Sequence, residues 1–314
     1  MRAATIVERR IVVTDHPDPV PGHGEILVAM RAAGLNAADL IQVMGAYPAP
    51  PGSPQDIPGM EIAGEVVAIG AGVTRWQPGD RVMAVVGGGA QAARLVLHER
   101  LAVPVPDGMT WEEAGGFPEA FTTAHDALFT QAGLAMGEGV LVSGAAGGVG
   151  TAGVQLAAAA GARVTGSVRD PARRPDVASL GAEVIDPGEL RHHGPFDVIL
   201  ELVGAPNMAA NLDVLATHGR IAVIGVGAGA AAEINLMALM TKRARIHGST
   251  LRARPLEAKA DAARRIEVSV LPLVAAGRIR VPVTAAFPLE RAGEAYERFR
   301  AGGKFGKVVL LNAE

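Results

Sequence analysis

The chain has 314 residues, 49% hydrophobic and 19% charged, with 40 glycines, 21 prolines and a formal net charge of −3. At roughly 150 residues per domain, that length argues for two globular domains, each able to bury a core without staples; the glycines follow no three-residue collagen period. There is no cysteine, which excludes disulfides, thiolate zinc sites, iron–sulfur clusters and cysteine nucleophiles, and no long basic run suits nucleic-acid phosphates.

The first third reads as short strands. Residues 3–7, 11–14 and 25–33 are rich in Val and Ile, with Pro17, Pro19, Pro21 and Gly22 as breaks between them. Arg2, Glu8, Arg9 and Arg10 leave no apolar stretch for a signal peptide at the start. Prolines at 48, 50, 51, 54 and 58 make 46–58 an irregular loop. Further strands are expected at 63–69, 81–86 and 98–105. Thr110-Trp111-Glu112-Glu113 then has the capping-box spacing that opens a helix.

Beyond Thr110 strands and helices alternate. Strands are expected at 139–143, 163–168, 198–202, 220–224 and 245–249. Helices are expected at 149–160, 171–180, 207–216 and near 236–240. This alternation argues for a parallel, doubly wound sheet. The charge-free run between Glu138 and Arg163 is long enough to span a bilayer. Its Gly144, Gly147, Gly148, Gly150 and Gly153, with Ser143, Thr151 and Gln155, instead fit a strand, a glycine turn and a small-residue helix. The chain is therefore read as soluble and cytoplasmic, with no membrane or nucleic-acid partner. From Pro255 an amphipathic helix, short strands, a helix at 290–300 and a strand at 307–311 follow. That tail is too short for a domain and is expected to return to the first part. The expected division is 1–118 with 274–314, and 119–273.

The strongest motif is Ser143-Gly144-Ala145-Ala146-Gly147-Gly148-Val149-Gly150, which follows a strand and opens a helix. That context is what a dinucleotide site requires. Gly147 and Gly148 permit close backbone approach to a pyrophosphate, Gly150 permits close helix–strand packing, and the helix N-terminus supplies amide donors. Gly144, Ala146 and Val149 complete the candidate loop. Ala145 stands where the usual pattern has its first glycine. About 20 residues on, an NAD site would place an acid on the ribose; here Val168 stands there, between Ser167 and Arg169. Ser167, Arg169 and Arg173 suit a 2′-phosphate, hence NADPH, unless the arginines are only a solvated helix face. Asp170, before Pro171, reads as a helix cap. Gly204, Gly225 and the stretch Ser249, Leu251 and Arg252 follow strand ends, where the carboxyl edge of such a sheet meets its cofactor.

The segments Gly34-Leu35-Asn36-Ala37-Ala38-Asp39, Pro58-Gly59-Met60-Glu61 and Gln77-Pro78-Gly79-Asp80-Arg81-Val82, together with the glycine loop, resemble the medium-chain dehydrogenase/reductase superfamily nearly end to end. Zinc members of that superfamily would carry Cys at Asn36 and His at Met60; neither ligand is present. Gly87–Ala92, Phe117–Ala124 and Gly248–Arg254 look like the zinc-free quinone oxidoreductases, in particular the p53-inducible quinone oxidoreductase branch. The resemblance implies a GroES-like β-rich catalytic domain and a Rossmann domain. It implies NADPH-dependent, metal-free reduction of a quinone or another conjugated carbonyl by a homodimer. Asp186-Pro187 departs from the branch, which often has a Tyr there near the adenosine.

Hydride transfer needs alignment and an oxyanion donor more than acid–base groups. By resemblance Tyr47 is the donor and lies near the nicotinamide; the alternative is a loop-packing aromatic. Asn36 orients substrate or ribose, or only forms a turn. Asp39 belongs to the catalytic loop, or only holds it. Thr123 faces the nicotinamide half by resemblance, or caps a helix. Two other functions remain open: an NADPH-dependent enal or enone reductase, and a non-catalytic protein that binds NADPH or nucleic acid.

Overall fold

The computed structural model describes residues 1–313. Its strands are β1 Arg2–Val7, β2 Arg10–Asp15, β3 Glu25–Gly34, β4 Glu61–Ile69, β5 Arg81–Val85, β6 Arg94–His98, β7 Ala102–Pro104, β8 Gly139–Ser143, β9 Arg163–Ser167, β10 Glu183–Ile185, β11 Phe196–Glu201, β12 Leu215–Val223, β13 Arg245–Gly248, β14 Val283–Pro288 and β15 Lys307–Leu311. The helices are α1 Ala37–Val43, α2 Trp111–Gly116, α3 Pro118–His125, α4 Gly148–Ala159, α5 Arg174–Ala178, α6 Met208–Val214, α7 Leu236–Lys242, α8 Leu256–Ser269, α9 Leu271–Ala275 and α10 Ala292–Arg300.

Two compact units result. One comprises Met1–Thr122, Leu251–Gly302 and the residues from Lys307 on; the other comprises Thr123–Thr250 and Gly303–Gly306. The second crossing thus lies at 250/251, where the sequence suggested 273/274. The reason is α8, whose Arg264 donates to the carbonyl of Ala102, the first residue of β7, at 2.9 Å.

The first unit is a sheet of order β14-β15-β3-β4-β5-β7, with β6 also on β3 and β1–β2 as a separate hairpin. β3 explains its own burial: Ile26, Val28, Met30 and Ala32 alternate with half-exposed neighbours, the period-2 pattern of a strand with one face inward. That face packs with Ile62, Val66, Val82, Leu97, Val308 and Leu310, and α10 closes the core with Tyr296 and Phe299. The Tyr296 hydroxyl donates to Gln91 Oε1 at 2.8 Å, so this tyrosine is core. β15 runs antiparallel on β3, which brings the end of the chain into the first unit's sheet.

The second unit is a six-stranded parallel sheet of order β10-β9-β8-β11-β12-β13. The order reverses between β8 and β11, the switch point where such sheets open a crevice at their carboxyl edge. β8 is buried along its whole length, as a central strand covered on both faces must be. α4 is buried from Gly150 to Ala157, which its Ala and Gly content allows. Leu141, Ile199, Leu212, Leu215 and Ile221 form the core of the β11–β12 side. The chain therefore combines a GroES-like sheet with a Rossmann sheet, as the sequence indicated.

Local departures have local causes. The strand expected at 98–105 is broken by a 3-10 turn at Glu99–Leu101, because the Glu99 carboxylate turns back to accept the N–H groups of Thr74 and Arg75 at 3.0 and 2.9 Å. The helix expected at 171–180 starts as a 3-10 turn at Pro171–Arg173, and α5 follows with its own proline in the first turn. The Thr110–Glu113 capping box forms as the spacing predicts, and Asp170 accepts from the Ala172 N–H as a cap. Among the described residues, no helix is long and apolar enough to cross a membrane.

Candidate active site

In the Rossmann unit, β8 delivers the chain to Gly144, and α4 starts at Gly148 with Gly147 as its N-cap. No side chain caps this end and no acid stands in its first turn. The first amides of α4 have no helical acceptor, so they face outward as a set of donors. A Cβ on Gly150 would lie 2.4 Å from the Gly144 oxygen and 2.7 Å from the Ala145 Cα, so no other residue fits there without moving backbone. Gly144 and Ala146 to Val149 are half-exposed, while Ala145 is fully buried. The residue that replaces the first glycine therefore packs inward, and the loop stays accessible. This cradle fits the pyrophosphate of a dinucleotide. Gly303–Gly306 lies against it: the Gly306 N–H donates to the Ala146 oxygen at 2.9 Å, and the Arg173 Nε donates to the Gly303 oxygen at 3.2 Å.

At the end of β9, Ser167 and Val168 are buried and Arg169 is exposed. Among the described residues, Arg169 has no ion-pair partner. Arg173 is tied to Gly303 and to Asp176, which leaves Arg169 as the more available guanidinium. Arg174 pairs with Asp186 and donates to the Val168 oxygen, so Asp186 anchors this turn.

Gly204 and Gly225 sit beside a residue the sequence reading missed. Glu201 ends β11 fully buried, and its carboxylate accepts from the N–H groups of Val203 (2.6 Å) and Gly204 (2.8 Å) and from Asn211 Nδ2 (2.5 Å). Gly204 has φ +114, and a Cβ there would strike the Gly229 oxygen at 2.6 Å. Gly225 donates to the Glu201 main-chain oxygen. Both glycines thus shape the carboxyl-edge loops around Glu201. Ser249 donates to Asp126 at 3.0 Å, and Thr123 is buried in α3.

In the GroES-like unit the expected catalytic loop holds a buried polar cluster. Lys307 Nζ lies 2.6 Å from both Asn36 Oδ1 and Glu61 Oε1, and Asn36 Nδ2 donates to the same Glu61 oxygen at 2.9 Å. The second Glu61 oxygen accepts from the Glu119 N–H at 2.9 Å. Asn36 is thereby oriented by an ammonium and a carboxylate. Asp39 accepts from the N–H groups of Asn36 (2.8 Å) and Gly59 (3.2 Å), so it holds the loop from inside. Burial pushes its carboxyl up to about 6, against the pull of the Asn36 N–H and of the Lys307 and Arg252 charges. Lys307 and Glu61 escaped the sequence reading. The available signal was a charge at the head of a largely apolar strand in each case, Lys307 before VVLL and Glu61 before IAG.

Arg252 and Leu251, expected at the cofactor, belong to this unit. The Arg252 guanidinium donates to Gly87 O at 2.7 Å, to Tyr47 O at 3.1 Å and to Gln42 Oε1, so it works as an internal clamp. It also lies 5.1 Å from the centre of the Tyr47 ring. Tyr47 is half-buried, and its hydroxyl has no hydrogen-bond partner among the described residues. The ring is held while the O–H is left to donate. Met60 is buried, and among the described residues no three His, Asp or Glu side chains group as a metal site.

Two family models match the chain: alcohol dehydrogenase GroES-like domain over residues 22–130 and zinc-binding dehydrogenase over 148–267. A quinone oxidoreductase of Pseudomonas aeruginosa is 33% identical over 312 residues, 95% of this chain and 94% of that protein. The quinone oxidoreductase of Rattus norvegicus is 30% identical over 307 residues, 93% of this chain and 91% of that one. A mycobacterial protein solved in complex with NADPH superposes with a TM-score of 0.88 at 28% identity, over 99% of this chain and all of that one. With the uncapped glycine loop in a Rossmann sheet and a GroES-like partner unit, these matches establish that the chain belongs to the medium-chain dehydrogenase/reductase superfamily, as an oxidoreductase of the NAD(P)H-dependent kind.

Proposed function

We propose that the protein is an NADPH-dependent quinone reductase that works without a metal. The observation that carries the cofactor choice is the end of β9, where Val168 is buried in place of an acid and Arg169 stands exposed beside the glycine loop's strand. An acid there would bond a ribose 2′-hydroxyl and repel a 2′-phosphate, whereas a guanidinium attracts it. The α4 amides and Gly147–Gly150 would hold the pyrophosphate, and Ser167, Arg169 and Arg173 the adenosine phosphate. When bound, the nicotinamide supplies a hydride.

The cluster around Asn36 supports a metal-free reaction. The Asn36 side-chain oxygen accepts from the Lys307 ammonium, and Met60 offers no imidazole. A dication there would meet a cation. Tyr47 supplies the O–H that stabilises negative charge on the substrate oxygen. The near full-length quinone oxidoreductase relatives favour a quinone as acceptor. This reading also includes a cytoplasmic homodimer: β13 is the sheet's edge strand, and Leu236, Met237 and Met240 of α7 are exposed apolar side chains in the same unit.

The test follows oxidation of NADPH and NADH with a panel of quinones and enals after dialysis against chelator. Turnover of quinones with NADPH preferred, reduced about tenfold or more in that preference by Arg169→Ala, is expected. A preference for NADH, or activity lost to chelator and restored by zinc, would overturn the reading. Faster turnover of enals would move the hydride to a β-carbon.

A further inference from the structure

The loop that carries Tyr47 has little means of holding itself. Prolines at 48, 50, 51 and 54 remove four amide donors. Among the described residues the backbone of 47–55 makes one bond of its own, from the Ser53 N–H to the Pro50 oxygen at 3.1 Å. Side chains take its carbonyls instead. Arg252 Nη1 donates to the Tyr47 oxygen at 3.1 Å and Gln42 Nε2 to the Gln55 oxygen at 3.1 Å. Gln55 Nε2 donates to the Ala49 and Ser53 oxygens at 3.1 and 3.0 Å. Arg252 Nη2 in turn donates to Gln42 Oε1, so one guanidinium stands at the head of the relay. Its Nε donates to the Gly87 oxygen at 2.7 Å, on the segment against which the loop leans. A Cβ on Gly87 would lie 2.3 Å from Ser53 Oγ and 2.8 Å from Pro50 Cγ. Gly87 thus lets the two segments touch, and Arg252 pins both.

Arg252 is 4% exposed, and among the described residues no carboxylate pairs with it. Asp39 is near enough for its charge to be felt, yet its oxygens accept from the N–H groups of Asn36 and Gly59. A buried cation is costly unless its donors are matched. Here Nε, Nη1 and Nη2 each take a different acceptor, a coplanar pattern that a lysine ammonium does not reproduce. The Arg252 Cζ also lies 5.1 Å from the centre of the Tyr47 ring, within cation–π range. One side chain therefore grips both the backbone from which Tyr47 springs and the ring itself.

We propose that Arg252 is a positioning residue for the reductase reaction: it sets the Tyr47 ring and the 47–55 loop so that the phenol O–H meets the substrate oxygen. This role rests on the one proposed for Tyr47 as oxyanion donor. A part confined to stability would leave the chemistry of the folded enzyme alone. A positioning part lowers kcat, and does so only while the hydroxyl is there to be positioned.

The experiment measures quinone reduction by the full-length wild type, Arg252→Lys, Tyr47→Phe and the double variant. Arg252→Lys should lower kcat about tenfold, as a misplaced reacting group implies, with NADPH affinity unchanged. In the Tyr47→Phe background the same substitution should change kcat by less than about twofold, because the two act as one unit. The chain has two tyrosines, so isotopically labelled tyrosine gives two ring signals in NMR, assigned with Tyr47→Phe. The Tyr47 signal should shift or broaden in Arg252→Lys while that of Tyr296 stays. Gln42→Met, which removes one acceptor of the fork, serves in the same tests if Arg252→Lys fails to fold. An unmoved Tyr47 signal, or an equal loss of kcat in both backgrounds, would overturn the positioning role alone. Wild-type kcat in Tyr47→Phe would end the donor reading, and this role with it, even where the ring signal moves.

Discussion

Replacing Lys307 with methionine should cost the GroES-like unit about 3–5 kcal/mol. The lysine is 3% exposed and its partner Glu61 is fully buried. Nζ lies 2.6 Å from both Glu61 Oε1 and Asn36 Oδ1. Methionine fills the space of the stem but removes the charge. Glu61 is then a buried carboxylate with only the N–H groups of Asn36 and Glu119, and Asn36 Oδ1 loses its donor. The pair's attraction is strong, yet forming it required both ions to leave water. Its net worth is therefore smaller than the penalty for breaking one half. That difference dictates a double-mutant cycle. Glu61→Gln alone strands the ammonium and should also cost about 3–5 kcal/mol. The double variant removes both charges, and the two effects should fall short of additivity by about 2 kcal/mol or more. Both tryptophans, Trp76 and Trp111, lie in this unit, so tryptophan fluorescence during urea unfolding at pH 7 follows it selectively. A loss below about 1 kcal/mol for Lys307→Met, the range of exposed pairs, or strict additivity, would refute the reasoning.

Asp39, raised by burial to about 6, holds a proton that the unfolded chain, titrating near 4, has released. Its contribution to stability is therefore complete below about pH 4 and falls by about 3 kcal/mol as pH rises to about 6; the difference between wild type and Asp39→Asn in unfolding free energy should trace that fall, and a flat difference would contradict it. Gly150→Ala drives a Cβ into the backbone of Gly144 and Ala145, so NADPH affinity by fluorescence titration should drop at least about tenfold with a loss of roughly 1–3 kcal/mol in stability; near-normal binding would show that the loop yields. Tyr47→Phe removes a hydroxyl with no partner among the described residues, so stability should hold within about 0.5 kcal/mol while kcat falls by up to about 10²-fold; unchanged kinetics with several quinones would return Tyr47 to packing.

Much of the architecture depends on interactions between near neighbours, and those were readable. The period-2 burial of β3, the Thr110–Glu113 box, the Asp170 cap and the strand–glycine–helix order of 139–159 all act within a few residues. The same holds for the absent acid at Val168. Where local groups compete, the outcome was not readable: Glu99 could have stayed in a strand until Thr74 and Arg75 offered it two amides.

The catalytic-loop cluster belongs to another class. Asn36 and Lys307 stand 271 positions apart, and Arg252 reaches Tyr47 across 205. A one-dimensional pattern shows Lys307 only as a charge before an apolar strand, and Arg252 only as a cofactor candidate after a strand end. What those charges do depends on β15 lying against β3 and on the main chain of the 47 and 87 loops converging on one guanidinium. The cost of leaving a buried charge unpaired makes such partners obligatory. Which residues become the partners is decided only when the sheet closes.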